Sequence, residues 1–423
     1  MEILSTGEKI KKSRVYKGLT LKELCGDKIS VSKMSCIENN KIKPDLWVLE
    51  FTSNKLNIDY NYLKKDVEDH LKENLELIET YPLDMEGYEK KLKYNLEYSQ
   101  DYNYPQISMK IMHLLFQYYL NNNDIQSLEE LQCTYYDIYQ KAYSIENQEI
   151  YYMDMANYLY MSKEYVQAAN YYDNVIKSIT SREDCNVEYY TLLVKAIYKE
   201  AYCYVKQKDY EKAYELAMKI SDYMEHIDDQ LLKANCYHMM AFLCLRMNDD
   251  RFLAYEKKSL RLYKEKHFDK VKAFNEYADI MIELGLMSEG MEYIEKALKV
   301  CPDEPKERVV EYKLMLTETL IKGNFITKAE EINSEILNIA IELNNLIFIE
   351  KAYHNKSIIC MMQDNDYSAE MYMNLSLDAL VKFGTKKQLY NRYLELGKMY
   401  YKFNNTMEAL KYFNLAIKME KYI

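Results

Sequence analysis

Polar caps and apolar pairs recur along this chain at helical spacing. Near its start, Thr20 stands three residues before Glu23, the reciprocal capping arrangement that opens a helix, and Leu21 and Leu24 then point one way. Ser30 or Ser32 is placed to cap a second short helix, with Met34 and Ile37 one turn apart as its buried side. Asn39-Asn40 ends that helix, and Pro44 can begin the next but cannot continue one. Helices are also expected from Glu8 to Lys17 and from Asp45 to Leu56, the latter with Leu46, Leu49 and Leu56 among its apolar positions. Asp59 caps a fifth, short helix containing Tyr62 and Leu63. From Lys64 the pattern runs on as one helix through His70 and Leu77, which would couple residues 1–65 mechanically to the rest of the chain, with a hinge near Lys64-Lys65-Asp66 as the alternative.

Beyond residue 66 the pattern becomes periodic. The last unit reads Tyr393, Leu396-Gly397, Tyr400, Ala409, Phe413, Ala416. Other units carry Ala156, Tyr165, Ala168 and Tyr172, or Ala201, Tyr204, Tyr210, Ala213 and Ala217, or Ala278, Gly290, Ile294, Ala297 and Pro302. Small residues fall where two helices of a hairpin cross, and large ones fill the space beside them. These spacings resemble the tetratricopeptide repeat. Aligned on the residue that opens each second helix, the series is Met85, Ile125, Tyr165, Tyr210, Phe252, Met287, Phe325, Tyr367 and Thr406, at intervals of 35 to 45 residues. The expected fold is therefore all-α: a five-helix head over residues 1–65 and about nine helical hairpins over 66–423. The repeat resemblance implies a right-handed superhelix with a concave inner face.

Composition narrows the reading. With 9 Gly and 5 Pro in 423 residues, the chain lacks the turn residues of an all-β protein of this size. Residues 1–66 hold 13 Lys and Arg against 9 Asp and Glu, a net +4, whereas the remaining 43 against 58 leave −15. A basic head on an acidic body suits a nucleic-acid partner for the head alone, and the modest charge of one head argues for a homodimer. The cysteines, Cys25, Cys36, Cys133, Cys185, Cys203, Cys236, Cys244, Cys301 and Cys360, are odd in number and include no CxxC. With no signal peptide and no apolar run of membrane-span length, they are expected to be reduced thiols of a cytoplasmic protein without a membrane partner. No HExxH, Walker loop, GxGxxG or GxSxG is present, so neither an enzyme nor a cofactor or metal site is expected.

The head, over about residues 7–65, resembles the helix-turn-helix of the phage-repressor/XRE class, through "GLT", "SVSKMSCIENNKIKP" and "LNIDYNYL". That resemblance implies an Arg14–Glu38 pair inside the head and a second motif helix directed at the DNA major groove. Ser32, Lys33 and Cys36 fall where the class places base- and phosphate-facing side chains. Thr20, Ser30, Asn39, Lys41 and Lys43 flank them as further DNA-contact candidates. Two departures remove polar contacts: Leu21 stands where the class usually has Gln, and Cys36 where Lys or Arg is common.

A tetratricopeptide hairpin lines its groove with the first helix, and that resemblance assigns Asn157, Asn275, Asp279, Lys313, Asn355, Gln363, Asn391, Lys398 and Lys402 to groove positions. Asparagine can satisfy both the N–H and the C=O of an extended peptide backbone. The head and body together resemble the RRNPP regulators of Gram-positive bacteria, most like their NprR-type members. The resemblance implies a receptor for a short linear signalling peptide that re-orients two heads on a double-stranded DNA operator, an inverted repeat. Asn275 and Asn355 are its best matches, followed by Asn391. It implies no Rap-like phosphatase action, because the head replaces the N-terminal bundle that carries the catalytic glutamine. The alternative is a repeat scaffold that binds a response regulator or another protein and has lost DNA binding.

Overall fold

The computed structural model describes residues 2–182 and 187–421; Cys185 lies outside them. Among the described residues every regular element is a helix. The head comprises α1 (Thr6–Tyr16), α2 (Leu21–Cys25), α3 (Val31–Glu38), α4 (Leu46–Leu56) and α5 (Tyr60–Lys64). The Thr20/Glu23 capping box forms as expected, and Ser30 rather than Ser32 caps α3. A second capping box, Ser5 with Glu8, opens α1 two residues before the expected start. Ile10, Leu24, Met34, Ile37, Val48, Leu56 and Leu63 close a small core. Leu46, expected on the apolar side of α4, is 63% exposed.

The helix expected to run on from Lys64 is broken. Lys65 is extended, and Asp66 caps a new helix, α6 (Val67–Glu79), through a box with Asp69. Aspartate three residues before a second acidic side chain is a helix-start signal, and it prevails over the continuous apolar periodicity. Lys9 anchors the break: its ammonium is buried and donates to the carbonyls of Tyr62 at 2.9 Å and Lys65 at 2.6 Å. Burial pulls its pKa down to about 8.

After α6 come α7 (Tyr88–Asp101), α8 (Pro105–Asn121), α9 (Ile125–Lys141), α10 (Ile145–Met161), α11 (Tyr165–Thr180) and α12 (Val187–Gln207). Then follow α13 (Tyr210–Lys219) with a short 3-10 turn, α14 (Gln230–Arg246), α15 (Phe252–Tyr263), α16 (His267–Glu283), α17 (Met287–Val300), α18 (Lys306–Lys322), α19 (Ile326–Glu342), α20 (Leu346–Met362), α21 (Asp366–Phe383), α22 (Lys386–Lys402) and α23 (Thr406–Glu420). The residues expected to open second helices coincide with helix starts at Ile125, Tyr165, Tyr210, Phe252, Met287 and Thr406. Phe325 and Tyr367 are each one residue off, and Met85 precedes α7 by three because Gly87, at φ 77°, turns the chain first.

The turns share one device. Asn123, Asn248, Asn324, Asn344, Asp364 and Asn404 all take positive φ, and Gly285 does the same. The next amide then reaches back into the helix just ended, as Asp124 does to the Tyr119 carbonyl at 3.0 Å and Asn405 to that of Tyr400 at 2.9 Å. Asparagine tolerates this left-handed conformation better than other residues with a side chain, so part of the chain's asparagine serves turns.

Residue contacts divide the chain into two compact units, 1–209 and 210–423. The core of unit one runs from Val67 to Cys203 and takes in Ile3 from the N-terminal segment; tyrosines fill much of it, Tyr139 lying 4.7 Å from Tyr151 in a parallel stack. Unit two holds a core from Ala234 to Ile359 and a smaller one around Met373, Leu396 and Tyr412. Close crossings depend on glycine, and the tightest in the head is Gly7. A Cβ there would sit 2.1 Å from the Ile37 carbonyl oxygen, where α1 crosses the end of α3. Gly7→Ala is therefore expected to push α1 off α3 and cost about 1–3 kcal/mol or more. Thermal or denaturant unfolding of the variant checks this, and unchanged stability would contradict the close crossing.

Candidate functional site

The head is held in shape by a buried ion pair. Arg14 on α1 donates from Nε and Nη2 to the two carboxylate oxygens of Glu38 at 2.7 and 2.9 Å, and its Nη1 reaches the Leu19 carbonyl at 2.8 Å. Glu38 is 3% exposed, so this fork fixes the end of α3 against α1. Met34 and Ile37 face inward, and the opposite side of α3 is left to solvent.

The DNA-contact candidates do not all share one role. Ser32, Lys41 and Lys43 are exposed, Cys36 is half-buried, and Lys43 approaches Asp66 only to 3.9 Å. Thr20 and Ser30 are exposed, but each spends its hydroxyl on a helix amide, of Glu23 and Lys33 respectively. Asn39 donates its amide to the Ser35 carbonyl at 2.8 Å. Lys33 is tethered: its ammonium lies 2.9 Å from Asp45 and 5.8 Å from the centre of the Trp47 ring. The lysine holds the Asp45 carboxyl below its usual range. Asp45, the residue before α4, makes no side-chain cap there.

The groove candidates divide between the units. In unit one, Asn157 accepts from the Tyr172 hydroxyl at 2.7 Å. The others lie in unit two. Asp279 pairs with Lys322 at 2.6 Å, Lys313 with Glu335 at 2.6 Å, and Gln363 donates to Glu330 at 2.9 Å. Asn391, Lys398 and Lys402 are exposed. Asn275 on α16 and Asn355 on α20 are different. They are 6% and 3% exposed, and the Asn275 Oδ1 and Asn355 Nδ2 atoms have no hydrogen-bond partner among the described residues. An unsatisfied buried amide group costs about 1–3 kcal/mol, which makes these two positions exceptional among the candidates.

Charged rungs, which the sequence reading did not single out, join consecutive first helices within each unit. In unit one the His113 Nδ1 on α8 lies 2.7 Å from Asp154 on α10, and Asp154, 1% exposed, also accepts from Tyr135 at 2.6 Å and Gln117 at 2.5 Å. In unit two His238 meets Glu276 at 2.8 Å, His354 meets Glu395 at 3.1 Å, and Arg392 meets Glu350 at 2.9 Å. The acids Asp154, Glu276 and Glu395 stand 11 residues before the aligned openers Tyr165, Met287 and Thr406, a periodicity visible only once the helices are paired. Among the described residues no group of His, Cys, Asp or Glu could hold a metal ion, and no helix is long and apolar enough to cross a membrane. Of the described cysteines five are buried, and burial pushes the Cys203 thiol up to about 12.

No family model and no curated protein matches the chain. Solved structures similar to it include members of the RRNPP group. PlcR of Bacillus thuringiensis, in complex with the peptide PapR7 and DNA, is 17% identical over 62% of this chain and 94% of that one, with a TM-score of 0.31. The apo form of the quorum sensor NprR from B. thuringiensis is 14% identical over 84% and 100%, at 0.42. The apo form of RapI is 12% identical over 76% and 98%, at 0.45. At these identities and scores each likeness stands as a resemblance only.

Burial lowers the His113 pKa, but the charge and hydrogen bond of Asp154 more than offset it, and the imidazole titrates above its ordinary 6.5. A raised histidine pKa stabilises the fold fully below the unfolded value, and that stabilisation is lost as pH rises through the folded one. The stability difference between the wild-type chain and His113→Gln should thus be larger at pH 6 than at pH 8 in urea unfolding. A difference that is constant or grows with pH would contradict the ionic rung.

Proposed function

We propose that this chain is a cytoplasmic DNA-binding transcriptional regulator gated by a short linear peptide. In this reading residues 1–65 are the DNA-binding domain, with α3 as the helix that enters the major groove, and residues 66–423 are a repeat domain for peptide binding and dimerisation. The observation that carries the peptide part is the pair of buried, unpartnered amide atoms on Asn275 and Asn355. They lie on α16 and α20, the first helices of hairpins two apart and one residue out of step along them, a spacing suited to an extended peptide at ~3.3 Å per residue. A peptide backbone supplies the donor and acceptor these atoms lack. The DNA part is supported by the positive head and the exposed outer side of α3.

Two such heads on an inverted repeat require a homodimer. The outer row of α23, with Met407 80%, Leu410 55% and Ile417 57% exposed, offers an apolar surface for it. The tether of Lys33 by Asp45 favours a second reading, a peptide- or protein-binding scaffold whose head contacts DNA weakly.

The test uses a peptide selected from a random heptapeptide library on the wild-type chain. Asn275→Ala and Asn355→Ala should each weaken its binding by about 1–3 kcal/mol in calorimetry. Truncation removes the buried unpartnered atom together with its cost, which offsets the small cavity left behind, so folding stability should change by less than about 1 kcal/mol. DNA affinity without peptide should be that of the wild type, and the peptide-induced change in it should vanish. Full peptide affinity and full DNA response in the double variant would place the ligand elsewhere.

A further inference from the structure

The first helical pair after the head lacks the small residues over which some later pairs cross. Two of those, α16–α17 and α22–α23, cross closely over glycine: a Cβ on Gly290 would lie 2.9 Å from the Ile282 side chain, and one on Gly397 would lie 2.6 Å from the Phe413 ring. Between Val67 and Asp101 there is no alanine, and the one glycine, Gly87, lies in the turn before α7. Side chains of asparagine, leucine, isoleucine and tyrosine occupy the facing positions instead. A cleft of about 430 Å³ lies between α6 and α7. That volume falls within the range of small-molecule sites, about 300–1,000 Å³.

The cleft has a defined chemistry. Leu77, Ile78, Tyr81 and Tyr94 make its walls. Two buried asparagines lie at its base, Asn74 donating to Asn95 at 2.9 Å and Asn95 donating to the Lys91 carbonyl at 2.8 Å. Two lysines stand at its rim: Lys90 is exposed, and the Lys91 ammonium rests 4.3 Å from the centre of the Tyr81 ring. Glu2 also lines the cleft, but its carboxylate is paired with Lys12 at 2.8 Å. The net rim charge is therefore positive above an apolar interior.

We propose that the α6–α7 cleft is a binding site for a small amphiphile with an apolar body and one carboxylate, the body lying on Leu77, Ile78 and Tyr94 and the carboxylate meeting Lys90 and Lys91. This site is separate from Asn275 and Asn355, which belong to unit two. It also borders the root of the head. The Ile3 amide donates to the Tyr94 hydroxyl at 3.3 Å, and Ile3 itself is buried in the unit-one core two residues before the Ser5 cap of α1.

The probe is decanoate, with decanol as its uncharged counterpart and acetate as the charge without the body, each titrated into the full chain by calorimetry. Decanoate should bind, decanol should bind at least fivefold more weakly, and acetate should give no saturable heat. Lys90→Glu, a surface change that leaves the fold intact, should weaken decanoate at least fivefold and leave decanol unaltered. Leu77→Trp, at a position 39% exposed, should fill the cleft and weaken both. Circular dichroism confirms that the variants are folded. The absence of saturable decanoate binding, or equal decanoate binding by the wild type and both variants, would overturn the proposal.

Discussion

A helical pair in this chain cannot bury its apolar face alone; each depends on the pair beside it. That constraint organises everything after Asp66. Small residues let two helices cross closely, and a left-handed asparagine or glycine ends a helix and turns the chain into the next. Histidine–acid and arginine–acid rungs tie successive first helices together. Since such arrays are held by neighbour contacts, their stability is close to a sum of local terms. A ligand that touches several first helices at once then has a direct mechanical handle on the array, limited by the difference in its affinity for the alternative arrangements.

The head obeys a different rule. Five short helices enclose few apolar side chains, so polar interactions carry much of its definition. The Arg14–Glu38 fork sets α3 against α1, Gly7 permits that approach, and Lys9 ties α1 to the carbonyls at the end of α5. Removing one partner of a buried pair leaves the other charge unsatisfied, which is why such pairs define a single geometry even where they add little net stability. The same local economy restrains the outer face of α3, where Asp45 gives up its capping role to hold Lys33.

Much of this was legible in the sequence because caps and small-residue crossings are local signals. Thr20 with Glu23, and the openers from Ile125 to Thr406, needed only spacing. The Arg14–Glu38 pair was legible through the family resemblance. The break at Lys65 stood only as the alternative to a continuous helix because apolar periodicity continues across it, although Asp66 with Asp69 carried the signal. Asp45 holding Lys33, Lys9 reaching two distant carbonyls, and the recurring acids at Asp154, Glu276 and Glu395 depend on tertiary placement. Single-position counting does not contain that information. The asparagines were ambiguous for a physical reason: the same residue type serves turns at Asn123 and Asn404, accepts from Tyr172 at Asn157, and is left unpartnered at Asn275 and Asn355.

Selection from a pool of random duplexes by the purified full chain tests most directly the proposal that α3 reads DNA. Enrichment of one sequence arranged as an inverted repeat is expected, with affinity that falls as salt rises because phosphate contacts release counterions. Enrichment should be lost when the exposed side of α3 is changed by Ser32→Glu, a substitution outside the head's core. A pool that stays random after repeated rounds at low salt, with and without a selected peptide, would contradict it.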